Sequence, residues 1–141
     1  MKIEKYHRDF LEPLSNIYLE SRVSTFTWLD TSSFSVLDFK KDTQGELILM
    51  AASNKKIVGF ISIWEPDNFI HHLYVSPEWH NQGAGSQLLE AVKSRGGNLN
   101  LKCMAANKAA LAFYESKGFV KASQGNDSLG DYYLMTFIAH T

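Results

Sequence analysis

The sequence of 141 residues holds a single cysteine, Cys103, so no intramolecular disulfide can form. That excludes the small folds stapled by disulfides and fits a reducing compartment. No apolar run approaches the ~18 residues that a bilayer-crossing helix needs. The opening stretch, "MKIEKYHRDFLEPL", is too charged for a secretory leader. An excess of either charge is lacking as well: the net value of −1 argues against capture of nucleic acid or anionic lipid by bulk electrostatics. No internal repeat, low-complexity segment or linker divides the chain. The expectation is one cytoplasmic domain over residues 1–141, with no membrane and no nucleic-acid partner. A hydrophobic fraction of 45% suffices for a single core.

What is present alternates between two periods. "KIEKY" (2–6), "ELILMAAS" (46–53), "KIVGFISIW" (56–64), "FIHHLYV" (69–75), "NLNLKCM" (98–104) and "DYYLMTFI" (131–138) read as strands. The turns "SNKK" and "EPDN" separate the three central ones. Helical spacing runs from about Phe10 to Val23, with Pro13 tolerated in the first turn, and again from Gly83 to Arg95 and from Asn107 to Phe119. Ser32 or Ser33 would cap a short helix ending near Lys41. In the helix from Gly83, the expected buried face is Ala84, Leu88, Ala91 and Val92. These elements predict an α+β fold around a mixed, mostly antiparallel sheet flanked by about four helices.

Glycine is used sparingly, nine residues in all, yet Gly83 and Gly85 sit together at a helix start. Glycine costs about 1 kcal/mol against alanine inside a helix, so its presence here asks for a reason. The first N–H groups of a helix lack internal partners, and the helix dipole adds partial positive charge to them. Small residues at such an end let an anion, a phosphate above all, reach the backbone. A P-loop would place Lys-Ser/Thr after the last glycine, where this chain has Ser86-Gln87. A dinucleotide fingerprint would need a third glycine and a tighter turn.

"LYVSPEWHNQGAGSQLLEAV" resembles the pyrophosphate-binding signature of the GNAT superfamily of N-acetyltransferases, with Gly83 and Gly85 in the glycine positions and His80 where Arg or Gln is usual. "NKAALAFYESKGF" resembles the superfamily's second motif at Asn107, Ala110, Phe113, Tyr114, Gly118 and Phe119. The likeness covers about Glu46 to Phe137. It implies a GNAT-like sheet splayed between its fourth and fifth strands, with acetyl-CoA as donor and no metal. It also implies direct transfer of the acetyl group to a primary amine. By the same resemblance the pyrophosphate lies on the N–H groups of Asn81, Gln82, Gly83, Ala84, Gly85 and Ser86. Pantetheine pairs like an added strand with Leu73, Tyr74 and Val75, and Asn107 contacts it.

Tyr114 matches the position whose hydroxyl protonates the departing sulfur. For the base, His71 stands four residues before Val75, where some relatives carry a histidine; His72 follows it. Strict alternation would put Phe69, His71, Leu73 and Val75 on one face and His72 and Tyr74 on the other, and a bulge would exchange them. Lys102 occupies the site of a glutamate found in ribosomal-protein acetyltransferases, a departure from that subgroup. Trp28, with Phe26, and Trp64, beside Glu65 and Asp67, would wall the acceptor pocket, and the acidic turn would favour a cationic amine. Cys103 reads as a buried residue, because direct attack needs no acyl-enzyme. The leading expectation is a small-molecule N-acetyltransferase, monomeric or homodimeric. A protein or peptide acetyltransferase and a non-catalytic acetyl-CoA sensor are the alternatives.

Overall fold

Residues of period two form the sheet and residues of period 3.6 cover it. In the computed structural model, which describes residues 1–139, seven strands make one sheet of order β1-β2-β3-β4-β5-β7-β6. The strands are β1 (Lys2–Lys5), β2 (Leu47–Ser53), β3 (Lys56–Trp64), β4 (Phe69–Val75), β5 (Leu99–Met104), β6 (Val120–Asp127) and β7 (Gly130–Phe137). The helices over the described residues are α1 (Leu11–Thr25), α2 (Asp38–Asp42), α3 (Ala84–Lys93) and α4 (Lys108–Ser116). Within this sheet every neighbouring pair is antiparallel except β4 and β5. The α+β class and the break between the fourth and fifth strands are both as expected.

Each face of the sheet has its own core. Helix α3 buries Ala84, Leu88, Leu89 and Val92 against Val58, Ile61, Leu101 and Met135. Leu89 takes the place expected of Ala91, because the helix turns that edge inward. On the opposite face Leu14, Ile17 and Tyr18 of α1 and Phe39 of α2 close over Met50 and Phe60. Full burial of one such aliphatic side chain stabilises by about 1.5–3 kcal/mol. Arg22 ties the two covering helices together: its guanidinium lies 3.8 Å over the Tyr18 ring and reaches Asp38 at 3.0 Å.

Two local expectations are corrected. Helix α2 begins at Asp38, so neither Ser32 nor Ser33 caps it. Its N-cap is Leu37, with no side-chain bond to the helix amides; Ser35 shapes the turn just ahead of it, its hydroxyl accepting from the Leu37 amide at 3.1 Å while its own amide donates to Asp38 at 2.9 Å. Strand β6 was not anticipated at all. "VKASQGND" is polar and almost wholly exposed at the sheet's edge, so no alternation marks it, and its pairing with β7 alone defines it.

Strand β4 carries the irregularity that shapes the site. Ser62 of β3 faces His72, whereas the next residue, Ile63, faces Ile70. His71 is therefore the extra residue of a β-bulge. Beyond it Leu73 and Val75 join Ile70 on the α3 side, while His72 and Tyr74 face α1. Strict alternation, which grouped His71 with Leu73 and Val75, fails at this point.

Candidate active site

Strand β4 pairs with β5 only through Phe69 and Ile70, opposite Asn100 and Leu101. From there the two strands diverge. The Ser76 amide donates to the Val58 carbonyl, so the backbones of Tyr74 and Ser76 turn toward β3. By the two-residue period of a strand, Leu73 and Val75 turn their N–H and C=O groups the other way, into the gap. The Val75 carbonyl is taken by the His80 imidazole at 2.9 Å and, at 3.4 Å, by the Ser21 hydroxyl. Leu73 has no ladder partner on that side. An open strand edge of this kind suits an extended ligand that carries amides of its own. Tyr74 differs from the expected pattern: its backbone serves β3, and its ring lines the gap.

The gap opens onto the N-terminus of α3. Gly83 caps the helix with φ +87°, and Asn81 also has positive φ, +63°. Alternating left-handed and ordinary conformations turn successive N–H groups toward one point, a concave anion site. No side chain caps this helix, and the first bond in it runs from the Gln87 amide to the Gly83 carbonyl. The amides of Ala84, Gly85 and Ser86 are thus left without helical partners. Asn81, Gly83, Ala84, Gly85 and Ser86 all line the cavity. Gln82 does not; its side-chain amide donates back to the Glu78 carbonyl at 3.5 Å. At Gly85 an added Cβ would lie 3.5 Å from Phe113, an ordinary contact, so anything larger projects toward the cavity.

These groups enclose a cavity of about 680 Å³. Helix α4 supplies its far wall. Asn107 caps α4 by accepting from the Ala110 amide at 3.1 Å and also lines the cavity. Two turns on, Tyr114 lines it as well, and its hydroxyl has no hydrogen-bond partner among the described residues. Burial raises the Tyr114 phenol well above its ordinary value, with Cys103 and Tyr74 adding to the effect. Tyr74 is pushed up to about 12, again chiefly by burial. Both rings therefore stay protonated near neutrality and can donate. Cys103 is buried and its thiol is pushed up to about 11 by desolvation, which leaves it a poor nucleophile. Four cavity residues escaped the sequence reading: Ser21, Thr25, Trp79 and Ala109. Ser21 and Thr25 are polar residues four apart on an otherwise core-facing helix, which is the one signal that marked them.

The histidines lie outside that cavity, farther along β4. His72 is half-buried between Tyr18 and Tyr74, with ring centroids 5.2 and 6.2 Å away. Loss of solvent pushes it down to about 4, against the opposing pull of the Asp42 backbone, so it is neutral at pH 7. Tyr18 in turn donates to Asp42 at 2.7 Å. His71 is 41% exposed, and its Nδ1 meets the carboxylate of Glu46, a side chain only 3% exposed. Glu46, His71 and His72 bring nitrogen and oxygen atoms within 4.8 Å of one another. Nothing in the sequence linked Glu46 to this strand. The register of β2, β3 and β4 brings it there across 25 residues.

Trp28 and Trp64 do not line the cavity either. Trp28 packs on Phe26 at 5.3 Å, and its indole N–H donates to the Leu129 carbonyl at 3.4 Å. This contact joins the loop after α1, which covers β3 and β4, to the β6–β7 turn on the other side of the splay. Trp64, 39% exposed, packs against Gly45 beside Glu46. Glu65 is held by Arg95 at 2.7 Å. Lys102 pairs with Asp127 at 2.6 Å.

The profile of the acetyltransferase (GNAT) family matches residues 9–119. The [ribosomal protein bS18]-alanine N-acetyltransferase of Escherichia coli K12 is 30% identical over 115 residues, covering 75% of this chain and 73% of that protein. Among solved structures, a GCN5-related N-acetyltransferase from Rhodopseudomonas palustris superposes with a TM-score of 0.82 at 20% identity, over 98% of this chain and 95% of that one. The PaiA N-acetyltransferase of Thermoplasma acidophilum, solved in complex with coenzyme A, gives 0.78 at 21% identity over 99% and 100%. These two structural likenesses carry the fold.

Proposed function

The chain belongs to the GNAT family of acetyltransferases, and from that premise we propose that it transfers the acetyl group of acetyl-CoA directly to a primary amine of a small molecule. The observation that carries this reading is the unpaired edge of Leu73, opening between the nest of free amides at the start of α3 and the Tyr114 hydroxyl. The donor's pyrophosphate would rest on the amides of residues 81–86, and its pantetheine would pair with Leu73 and Val75 beside Asn107. The free amine attacks the thioester carbon, and the oxygen that gains charge accepts from the Leu73 N–H. Donors fixed in place before charge develops are the strongest single contribution to many transfer reactions. The amine's proton passes to His71, directly or through water. The C–S bond then breaks, and Tyr114 donates to the sulfur that leaves.

The Trp28–Leu129 bond, which ties the loop after α1 to the β6–β7 turn, supports a compact acceptor over an extended polypeptide, which would need an open groove. Lys102, committed to Asp127, supplies no carboxylate there. A specific finding favours the rival reading: the E. coli relative is named for a ribosomal-protein alanine. Thiol release from acetyl-CoA across polyamines, aminoglycosides, amino acids and alanine-ended peptides separates the two. We expect the highest kcat/KM with a small amine. Preference for the peptides would move the acceptor assignment to protein, and tight acetyl-CoA binding without turnover on any amine would make the chain a sensor.

A further inference from the structure

We infer that Glu46 is a positioning residue that holds the His71 imidazole with its proton on Nδ1 and its Nε2 lone pair free toward the acceptor. The inference rests on the proposed role of His71 and adds a residue to it. Three observations support it. The bulge at His71 breaks the alternation of β4 and swings this imidazole to the α1 side, away from the apolar core that Ile70, Leu73 and Val75 face. The Glu46 side chain is 3% exposed and one of its oxygens meets His71 Nδ1, while its other oxygen is buried with no partner. His71 itself remains 41% exposed, so one edge of the ring is fixed and the other is accessible.

A carboxylate with a single partner, taken out of water, needs a strong reason to be there, because burying it is costly. Glu46 is too buried to touch an acceptor. It can act only through the imidazole. A carboxylate that accepts from Nδ1–H selects that tautomer and orients the ring, which leaves Nε2 as the atom that can take a proton. His72 does not compete for this role: its ring is packed between Tyr18 and Tyr74, and burial keeps it neutral there.

The test reads the tautomer directly and so does not depend on turnover. Long-range 1H–15N spectra of the wild-type protein near pH 8 should show His71 with Nδ1 protonated and Nε2 bare. In Glu46→Gln that preference should weaken to a mixture of tautomers, and in Glu46→Asp it should be largely restored. With whichever amine is turned over, Glu46→Gln should lower kcat by about 10²-fold, the lower end of what a positioned acid–base group contributes. The KM for acetyl-CoA should not change. A folded Glu46→Gln protein whose His71 spectrum matches wild type overturns the inference. So does one equivalent of zinc that survives dialysis against a chelator in wild type and is lost in Glu46→Gln, since the three residues would then be metal ligands. If the tautomer responds as expected but no amine is acetylated, the proposed reaction fails and the orientation of His71 stands.

Discussion

The two ends of strand β4 are built from the same kind of residue and do opposite things. At Phe69 and Ile70 the strand is paired on both sides, and Ile70 is 3% exposed. Five residues later, at Val75, it is paired with β3 alone, and its outer edge faces a cavity of about 680 Å³. The paired end holds the two halves of the sheet together. The open end withholds backbone bonds that a sheet would normally make, and the ligand site lies where they are withheld. The bulge at His71 divides the two regimes. Local composition does not distinguish them, because the divergence of β5 is a property of the whole fold.

The comparison can be broken most severely at the open end. Gly85→Val places its methyl groups in the space between Phe113 and Val75, both of which line the cavity beside the N-terminus of α3. Acetyl-CoA affinity should fall roughly 10³-fold, about 4 kcal/mol, in a protein that still unfolds cooperatively. Calorimetry that found unchanged affinity in the folded variant would remove the nest from the site.

Ile70→Ala makes the complementary cut at the paired end. Removing a buried isoleucine side chain costs about 2–5 kcal/mol of stability, which denaturant unfolding will show as a lower midpoint. Acetyl-CoA affinity at temperatures where the variant is folded should be little changed. A variant that lost affinity and kept its stability would reverse the assignment of the two ends.

Tyr114→Phe sharpens the comparison further, because it leaves both ends of β4 intact. Turnover should drop by about 10²-fold with acetyl-CoA binding nearly unchanged, since the hydroxyl acts on the departing sulfur and not on the bound cofactor. Wild-type turnover, with the acyl-transfer step still limiting, would reduce Tyr114 to packing against Phe113 and Phe119, whose rings lie 5.3 and 5.6 Å away.

The parts of this molecule that were legible in sequence are those set by neighbours in the chain. Gly83 and Gly85 announce a helix start that leaves its amides free, and Asn107 announces a cap, because these requirements act over three or four residues. Strand β6 stayed hidden because an exposed edge strand needs no apolar alternation. The face of His71 stays open in the sequence because one inserted residue reverses a period-two pattern, and nothing in "FIHHLYV" shows whether or where the insertion falls. Glu46 was beyond reach for a different reason: its partner lies two strands away, and only the register of the sheet joins them. Trp28, expected to wall the acceptor pocket, also ties together two loops 101 residues apart in sequence, a contact that no local pattern shows.

Amide hydrogen exchange along β4, with and without acetyl-CoA, tests the central claim most directly. In the free protein the Leu73 and Val75 amides should exchange far faster than that of Ile70, which lies inside the parallel pairing. On adding acetyl-CoA, Leu73 and Val75 should gain protection together with Ala84, Gly85 and Ser86, while Ile70 stays as it was. Protection of Leu73 and Val75 equal to that of Ile70 before any ligand is added, or no change in these amides at saturating acetyl-CoA, would contradict an open strand edge as the seat of the cofactor.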